Sequence, residues 1–220
     1  EPTIANGIYR ITSAKNNNYT LDISGANFNN NTNIQLWTQN ATKAQRFSLQ
    51  YDSLSGFYRI TDLSGKYSLD VHNAEVKDGA NIKLWQLNNS YAQQWIITKN
   101  SEGNYSIISA LSGKALDISG ASFAKGTNIQ TWQKNDTNAQ KWHLISVPDS
   151  PRDIIDGTYS FSAKNSGNIL GTTENKLSLK DPTTDNNTPS FKVTFDESIG
   201  FYRISTSRTE KYLTATGSNT

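Results

Sequence analysis

The sequence predicts an all-β protein in which three repeated units close on one another, and three observations carry that prediction. A Leu-Asp pair, a Trp fifteen residues on and a Gln eight residues after that recur in register: Asp22, Trp37 and Gln45; Asp70, Trp85 and Gln93; Asp117, Trp132 and Gln140. Apolar and polar residues alternate over short stretches, the period of a half-buried strand, with no helical period anywhere. Turn-forming Asn, Gly and Ser separate those stretches. A fixed repeat of this length marks copies of one supersecondary unit, none able to bury its apolar face alone.

Each unit opens on a Gly-x-Tyr strand signal, at Gly7-Ile8-Tyr9, Gly56-Phe57-Tyr58 and Gly103-Asn104-Tyr105. A turn such as Lys15–Asn18 or Leu63–Lys66 leads into the Leu-Asp strand. A polar loop follows, then the strand ending at the repeated Trp, another turn, and a last strand that begins at Gln-x-Trp or its equivalent. Four strands per unit make twelve, and closing them removes the exposed edges an open sheet would leave.

Pro148 and Pro151 bracket a short linker. The expected division is therefore 1–147 for the closed domain, 148–156 for the linker and 157–220 for a second, incomplete domain. In that last part a fourth opening stands at Gly157-Thr158-Tyr159 and a fifth at Gly200–Ile204. The later units are degenerate. All five Trp residues (37, 85, 95, 132 and 142) precede the linker, Leu213-Thr214 stands where Leu-Asp would, and Pro189-Ser190-Phe191 replaces Gln-x-Trp. The open edges of such a half-built barrel are expected to be capped by the first domain, a neighbouring chain or a further segment.

Composition narrows the function classes. With 35% hydrophobic residues the core is modest, and a net charge of +2 comes from scattered Lys and Arg rather than the basic stripe of a nucleic-acid protein. Apolar runs are too short for membrane insertion by a helix. No Cys is present, which excludes disulfides, zinc–thiolate sites and thiol nucleophiles. His72 and His143, the two histidines, sit in unrelated contexts, so neither a His-based triad nor a metal cluster is expected. Asp181–Asp185 has acidic spacing but lacks the Gly and closing Glu of a calcium loop. No cofactor and no metal are expected. The chain begins at Glu1 without a Met or a signal peptide, the pattern of a processed or excised piece.

Side chains alternate along a strand, so if Leu21, Ile23, Ile34 and Leu36 face inward, Asp22, Gln35 and Trp37 emerge together on the outer surface. The second unit presents Asp70, Lys83 and Trp85 in the same way, and the third Asp117, Gln130 and Trp132. An acid, an amide and an indole suit a sugar. The apolar face of a pyranose lies on the indole, and an ionised carboxylate accepts its hydroxyls in charge-assisted hydrogen bonds. Such a shallow site binds weakly, with a Kd of about 0.1–10 mM, and several sites on one module recover avidity for a polymer or a coated surface. Gln45, Gln93 and Gln140 read as structural, bonded to backbone, and Phe47, Trp95 and Trp142 as core. Asn33, Asn81 and Asn128 read as turn residues. The acids have an alternative role as acceptors that stabilise turns.

This pattern, above all Gln93-Gln94-Trp95 and Gln140-Lys141-Trp142, resembles the ricin-type β-trefoil lectins, the Gln-x-Trp repeat family. The resemblance covers about residues 5–147 as a complete trefoil and continues into an incomplete second one. It implies non-catalytic glycan binding, with the Asp holding sugar hydroxyls and the aromatic stacking on the ring. Galactose and N-acetylgalactosamine are the family's usual ligands, and xylose polymers occur too. It further implies a module of a larger secreted or surface-attached bacterial protein, such as a glycosidase, a peptidoglycan hydrolase or an adhesin.

There are departures from the family pattern. Ala44, Ala92 and Ala139 stand where good galactose sites carry Asn. Asn40, Asn88, Asn135 or Asn138 are the available substitutes, and the first three are also glycosylation sequons. Phe47 replaces Trp in the first unit, and Lys83 replaces Gln in the second, where it is placed to pair with Asp70. The expected ranking is third site, first, then second. The competing reading is a structural or protein-binding trefoil whose sugar sites have decayed.

Overall fold

A computed structural model of the chain describes residues 1–40, 42–147, 156–173, 176–181, 190–196 and 201–206. The chain divides into two compact units, Glu1–Asp153 and Ile154–Thr220.

The first unit contains the three predicted repeats of four strands. They are β1 (Gly7–Ser13), β2 (Tyr19–Ile23), β3 (Thr32–Thr38) and β4 (Phe47–Asp52); β5 (Phe57–Thr61), β6 (Tyr67–Val71), β7 (Ala80–Gln86) and β8 (Trp95–Lys99); and β9 (Tyr105–Ser109), β10 (Ala115–Ile118), β11 (Ile129–Trp132) and β12 (Trp142–Ser146). The first and last strands of the repeats pair in a closed ring: β1 with β4, β4 with β5, β5 with β8, β8 with β9, β9 with β12 and β12 with β1. This is the closed barrel that leaves no free edge.

The middle strands of each repeat form hairpins, β2–β3, β6–β7 and β10–β11, and the three hairpins close a triangular cap. Two sides of the triangle are strand pairings, Thr32 opposite Leu84 and Asn81 opposite Gln130. A single bridge from Gln35 to Asn128 makes the third. The fold is a β-trefoil.

Its core repeats as the sequence does. Leu21, Leu69 and Leu116 are fully buried, as are Ile34, Ile82 and Ile129 and the trio Phe47, Trp95 and Trp142. A buried indole needs a partner for its N–H. Trp95 Nε1 donates to the carbonyl of Leu69 at 3.4 Å and Trp142 Nε1 to that of Leu116 at 3.1 Å. Phe47 fills the equivalent place in the first repeat without that requirement.

Asn33, Asn81 and Asn128, expected in turns, do something else. Asn33 Nδ2 donates to Asn128 Oδ1 at 2.9 Å, Asn128 Nδ2 to Asn81 Oδ1 at 2.8 Å, and Asn81 Nδ2 to Asn33 Oδ1 at 2.9 Å. The three amides thus form a closed ring where the three hairpins meet. Each uses one donor and one acceptor, which an amide supplies from two separate atoms of one side chain.

The second unit holds β13 (Gly157–Tyr159), β14 (Ile169–Thr173), β15 (Lys176–Lys180), β16 (Phe191–Asp196) and β17 (Phe201–Thr206). Strands stand at both expected repeat openings. Tyr159 lies opposite Phe191 and Val193 opposite Ile204, as Tyr9 lies opposite Phe47 and Leu49 opposite Ile60 in the first unit. The hairpin β14–β15 takes the place of β2–β3. These strands therefore carry the register of one trefoil repeat and the strand that follows it. Linker residues 148–155, residues 182–189 including Pro189 and Asp185, and Leu213-Thr214 lie outside the described residues.

Candidate functional site

The hairpin registers bring the predicted residues together. Asp22 lies directly across from Gln35, Asp70 from Lys83 and Asp117 from Gln130, with Trp37, Trp85 and Trp132 two residues further along and so on the same face. Each trio is carried by two paired strands, a rigid support.

The acids are less open than the alternation alone suggests. Asp22, Asp70 and Asp117 are only 5%, 8% and 5% exposed, because the short 3-10 turn ahead of the last strand in each repeat packs over the Leu-Asp strand. That turn carries the conserved-spacing Gln. Gln45 Nε2 donates to Asp22 Oδ2 at 3.0 Å and to the Thr38 carbonyl at 3.0 Å, while Gln45 Oε1 accepts the Asn40 backbone N–H at 2.8 Å. Gln93 makes the same three bonds to Asp70, Gln86 and Asn88, and Gln140 to Asp117, Gln133 and Asn135. These glutamines bond backbone, as expected of structural residues, and they also clamp the acid, which was not expected.

A second amide completes the clamp in two of the sites. Gln35 Nε2 donates to Asp22 Oδ1 and Gln130 Nε2 to Asp117 Oδ1, each at 3.0 Å. Burial pushes all three carboxyls above the ordinary aspartate value of 3.8, and the amide donors pull the other way by favouring the ionised form. Each oxygen still has lone-pair capacity beyond the amide it accepts.

In the second site Lys83 was expected to pair with Asp70. Its Nζ instead reaches Asn31 Oδ1 at 3.4 Å, on the loop of the first repeat, so Asp70 keeps only the Gln93 clamp. His72, next but one to Asp70, also favours its ionised form electrostatically, less than the Gln93 amide does. Asn40, Asn88 and Asn135, proposed substitutes for the absent family Asn, spend Oδ1 on the backbone N–H groups of Thr42, Ser90 and Thr137. Ala44, Ala92 and Ala139 are buried.

Each site has a wall that comes from another repeat. The N–H of Asn31 donates to the Leu84 carbonyl, that of Gly79 to the Thr131 carbonyl and that of Gly126 to the Leu36 carbonyl, at 3.0, 2.9 and 2.8 Å respectively. All three residues have positive φ, at 67°, 79° and 85°. A Cβ on Gly79 would stand 3.8 Å from Trp132 Cζ3, and one on Gly126 3.8 Å from Trp37 Cζ3. The first repeat thus walls the second site, the second repeat the third site, and the third repeat the first site.

The residue just before each of these is Asn30, Asp78 or Lys125. Asn30 Oδ1 accepts the Gln86 N–H at 2.7 Å and Asp78 Oδ1 the Gln133 N–H at 2.8 Å. Asp78 also pairs with Lys114 Nζ at 2.6 Å, and this hydrogen bond holds its carboxyl below the usual aspartate range. Lys125 has no acceptor to offer. Its ammonium lies over the Trp37 ring, 4.2 Å from the centroid.

The three indoles therefore differ. Trp132 is 40% exposed, Trp37 is half-buried beneath Lys125, and Trp85 is half-buried. Sequence spacing predicts the trios but not these walls, although the equivalence of Asn30, Asp78 and Lys125 follows from the same repeat step. Among the described residues no cluster of His, Asp or Glu could hold a metal ion, and no helix is long and apolar enough to cross a membrane.

Solved structures share this architecture. A designed three-fold symmetric protein, ThreeFoil, is 27% identical with a TM-score of 0.60, over 64% of this chain and 99% of that one. The exo-β-1,3-galactanase 1,3Gal43A from Clostridium thermocellum is 27% identical with a TM-score of 0.61, over 67% of this chain and 32% of that enzyme. The Macrolepiota procera ricin B-like lectin, solved with lactose, is 19% identical with a TM-score of 0.56, over 66% of this chain and 99% of that one, and shows the shared fold. No curated protein matches the chain. The profile of the ricin-type β-trefoil lectin domain-like family matches residues 2–85, 43–132 and 91–178, and the chain belongs to that family.

Proposed function

We propose that the chain is a non-catalytic glycan-binding module whose principal site is Asp117, Gln130 and Trp132. The observation that carries this reading is the exposed Trp132 indole beside a carboxylate clamped by two amides. A pyranose lays its apolar face on the indole and directs adjacent hydroxyls to Asp117, whose oxygens are already aimed by Gln130 and Gln140. Asp22 with Gln35 and Trp37 forms the second-ranked site, and Asp70 with Lys83 and Trp85, lacking the second amide, the third-ranked. Galactose-type sugars are the first ligands to test. The module serves a larger secreted or surface-attached bacterial protein, where glycan binding mediates targeting or adhesion.

Binding rather than catalysis fits the acids. Asp78 and Asp117 are close enough to interact, yet Asp78 is held ionised by Lys114 and a backbone N–H, and Asp117, although burial raises its pKa, has both carboxyl oxygens accepting amide N–H groups. Neither is arranged to deliver the proton that glycoside cleavage requires.

A glycan array probed with the intact chain tests the reading. Signal that falls with Asp117→Asn supports it; no glycan signal, or signal untouched by that change, favours the scaffold alternative. Acid provides a second check. The sugar binds the ionised carboxylate, so affinity is present above the folded-state pKa of Asp117 and lost below it. Because burial raises that pKa, binding is expected to fade at a higher pH than the 3.8 of an ordinary aspartate. The stability linkage has the opposite sense: this group's contribution to folding declines as pH rises through its raised pKa and recovers on acidification. Titrating affinity and thermal stability of wild type and Asp117→Asn side by side from neutral to acid pH reads both.

A further inference from the structure

We infer that Lys125, supplied by the third repeat, makes the first site selective for acidic sugars, those bearing a carboxylate or sulfate. This rests on the glycan-binding reading above and deepens it for one site. The ammonium lies over one face of the Trp37 ring, 4.2 Å from its centroid, and covers that face against a stacking sugar. A neutral sugar entering from that side must displace the cation and replace a cation–π contact by a C–H contact, with nothing to offer the displaced charge. An acidic sugar meets the same obstacle but supplies a partner. Its ring takes the indole, and its anionic group receives the ammonium.

The backbone keeps the displaced cation near. Gly126 is bonded to the Leu36 carbonyl and abuts the Trp37 edge, so the root of the Lys125 side chain is anchored at the rim of the site. The four-carbon stem swings about that anchor while its head stays within reach of a bound ring. Among the described residues no carboxylate forms an ion pair with Lys125, so the cation is available to a ligand.

The equivalent positions sharpen the inference. Asn30 in the second site is neutral, and Asp78 in the third is negative and satisfied by Lys114 and a backbone N–H. The wall position thus carries a different charge in each site of one molecule, and only in the first is that position a cation; the second site's own cation, Lys83, lies on the hairpin and is bonded to Asn31.

The test uses the full chain with Trp85→Ala and Trp132→Ala, which leaves the first site. Matched probes differ only at C6: methyl galactoside against methyl galacturonide, and methyl glucoside against methyl glucuronide. Titration followed by NMR is expected to show tighter binding of the acid in at least one pair. Lys125→Ala and Lys125→Glu should then lower the acid-to-neutral affinity ratio by about threefold or more, and high salt should narrow it. An unchanged ratio in both variants overturns the inference, as does neutral binding that tightens in Lys125→Ala when wild type shows no acid preference. If neither probe binds this background while the intact chain binds glycans, the inference fails and the general reading survives. If the intact chain binds no glycan, both fail.

Discussion

Gln140→Ala is expected to destabilise the first unit by about 3–5 kcal/mol, the largest stability loss foreseen for any single site residue. The residue is 1% exposed and makes three bonds, to Asp117 Oδ2, to the Gln133 carbonyl and from the Asn135 N–H. Removing it takes the amide from Asp117 Oδ2, leaving that acid only the Gln130 amide, takes the partners of a carbonyl and an N–H at the same time, and leaves a small cavity too. For a domain of this size the loss corresponds to a fall in Tm of roughly 10 °C. Gln130→Ala, which removes only one of the two amides on Asp117, should cost about 1 kcal/mol. Thermal and urea denaturation of both variants measure the difference. Equal, small losses would mean that the glutamine clamp is not what holds the acid in place.

Trp132→Ala has the largest expected effect on binding and a smaller one on stability than loss of a core indole. Its indole is 40% exposed and its covered part rests against the Gly79 wall, so truncation should cost about 1–2 kcal/mol, a Tm change of a few degrees. A sugar face covering about 60–80 Å² of apolar surface contributes about 1.5–2 kcal/mol, so affinity at this site should fall about ten- to thirtyfold. Trp142→Ala is the contrasting control. That indole is fully buried and bonded to the Leu116 carbonyl, so its loss should cost about 3–5 kcal/mol of stability. Titrating an immobilised glycan with folded Trp132→Ala measures the effect; unaltered affinity would assign binding to another surface.

Much of this arrangement is legible in the sequence because a strand imposes a period of two. Asp22 and Gln35 are thirteen residues apart in a hairpin whose apolar flanks face inward, and that alone places them opposite each other with Trp37 on the same face. The burial of the acids was not legible, since it depends on a turn folding back over the strand from twenty-odd residues away. Lys83 illustrates the same difficulty. Opposite Asp70 in register, it turns to Asn31 of another repeat, a contact that exists only once the hairpins meet. The amide ring of Asn33, Asn81 and Asn128 required the same knowledge, because its partners are separated by 47, 48 and 95 residues. Repeat spacing identifies equivalent positions; it does not say which repeat walls which site.

The central claim is that a glycan sits on the Trp132 indole beside Asp117. Five tryptophans give five indole N–H resonances, and a titration of the ¹⁵N-labelled chain with the best glycan from the array reads them together. The account predicts that the Trp132 signal moves furthest at the lowest ligand concentration, while the buried Trp95 and Trp142 signals stay in place. A saturating glycan that leaves Trp132 unmoved would contradict it.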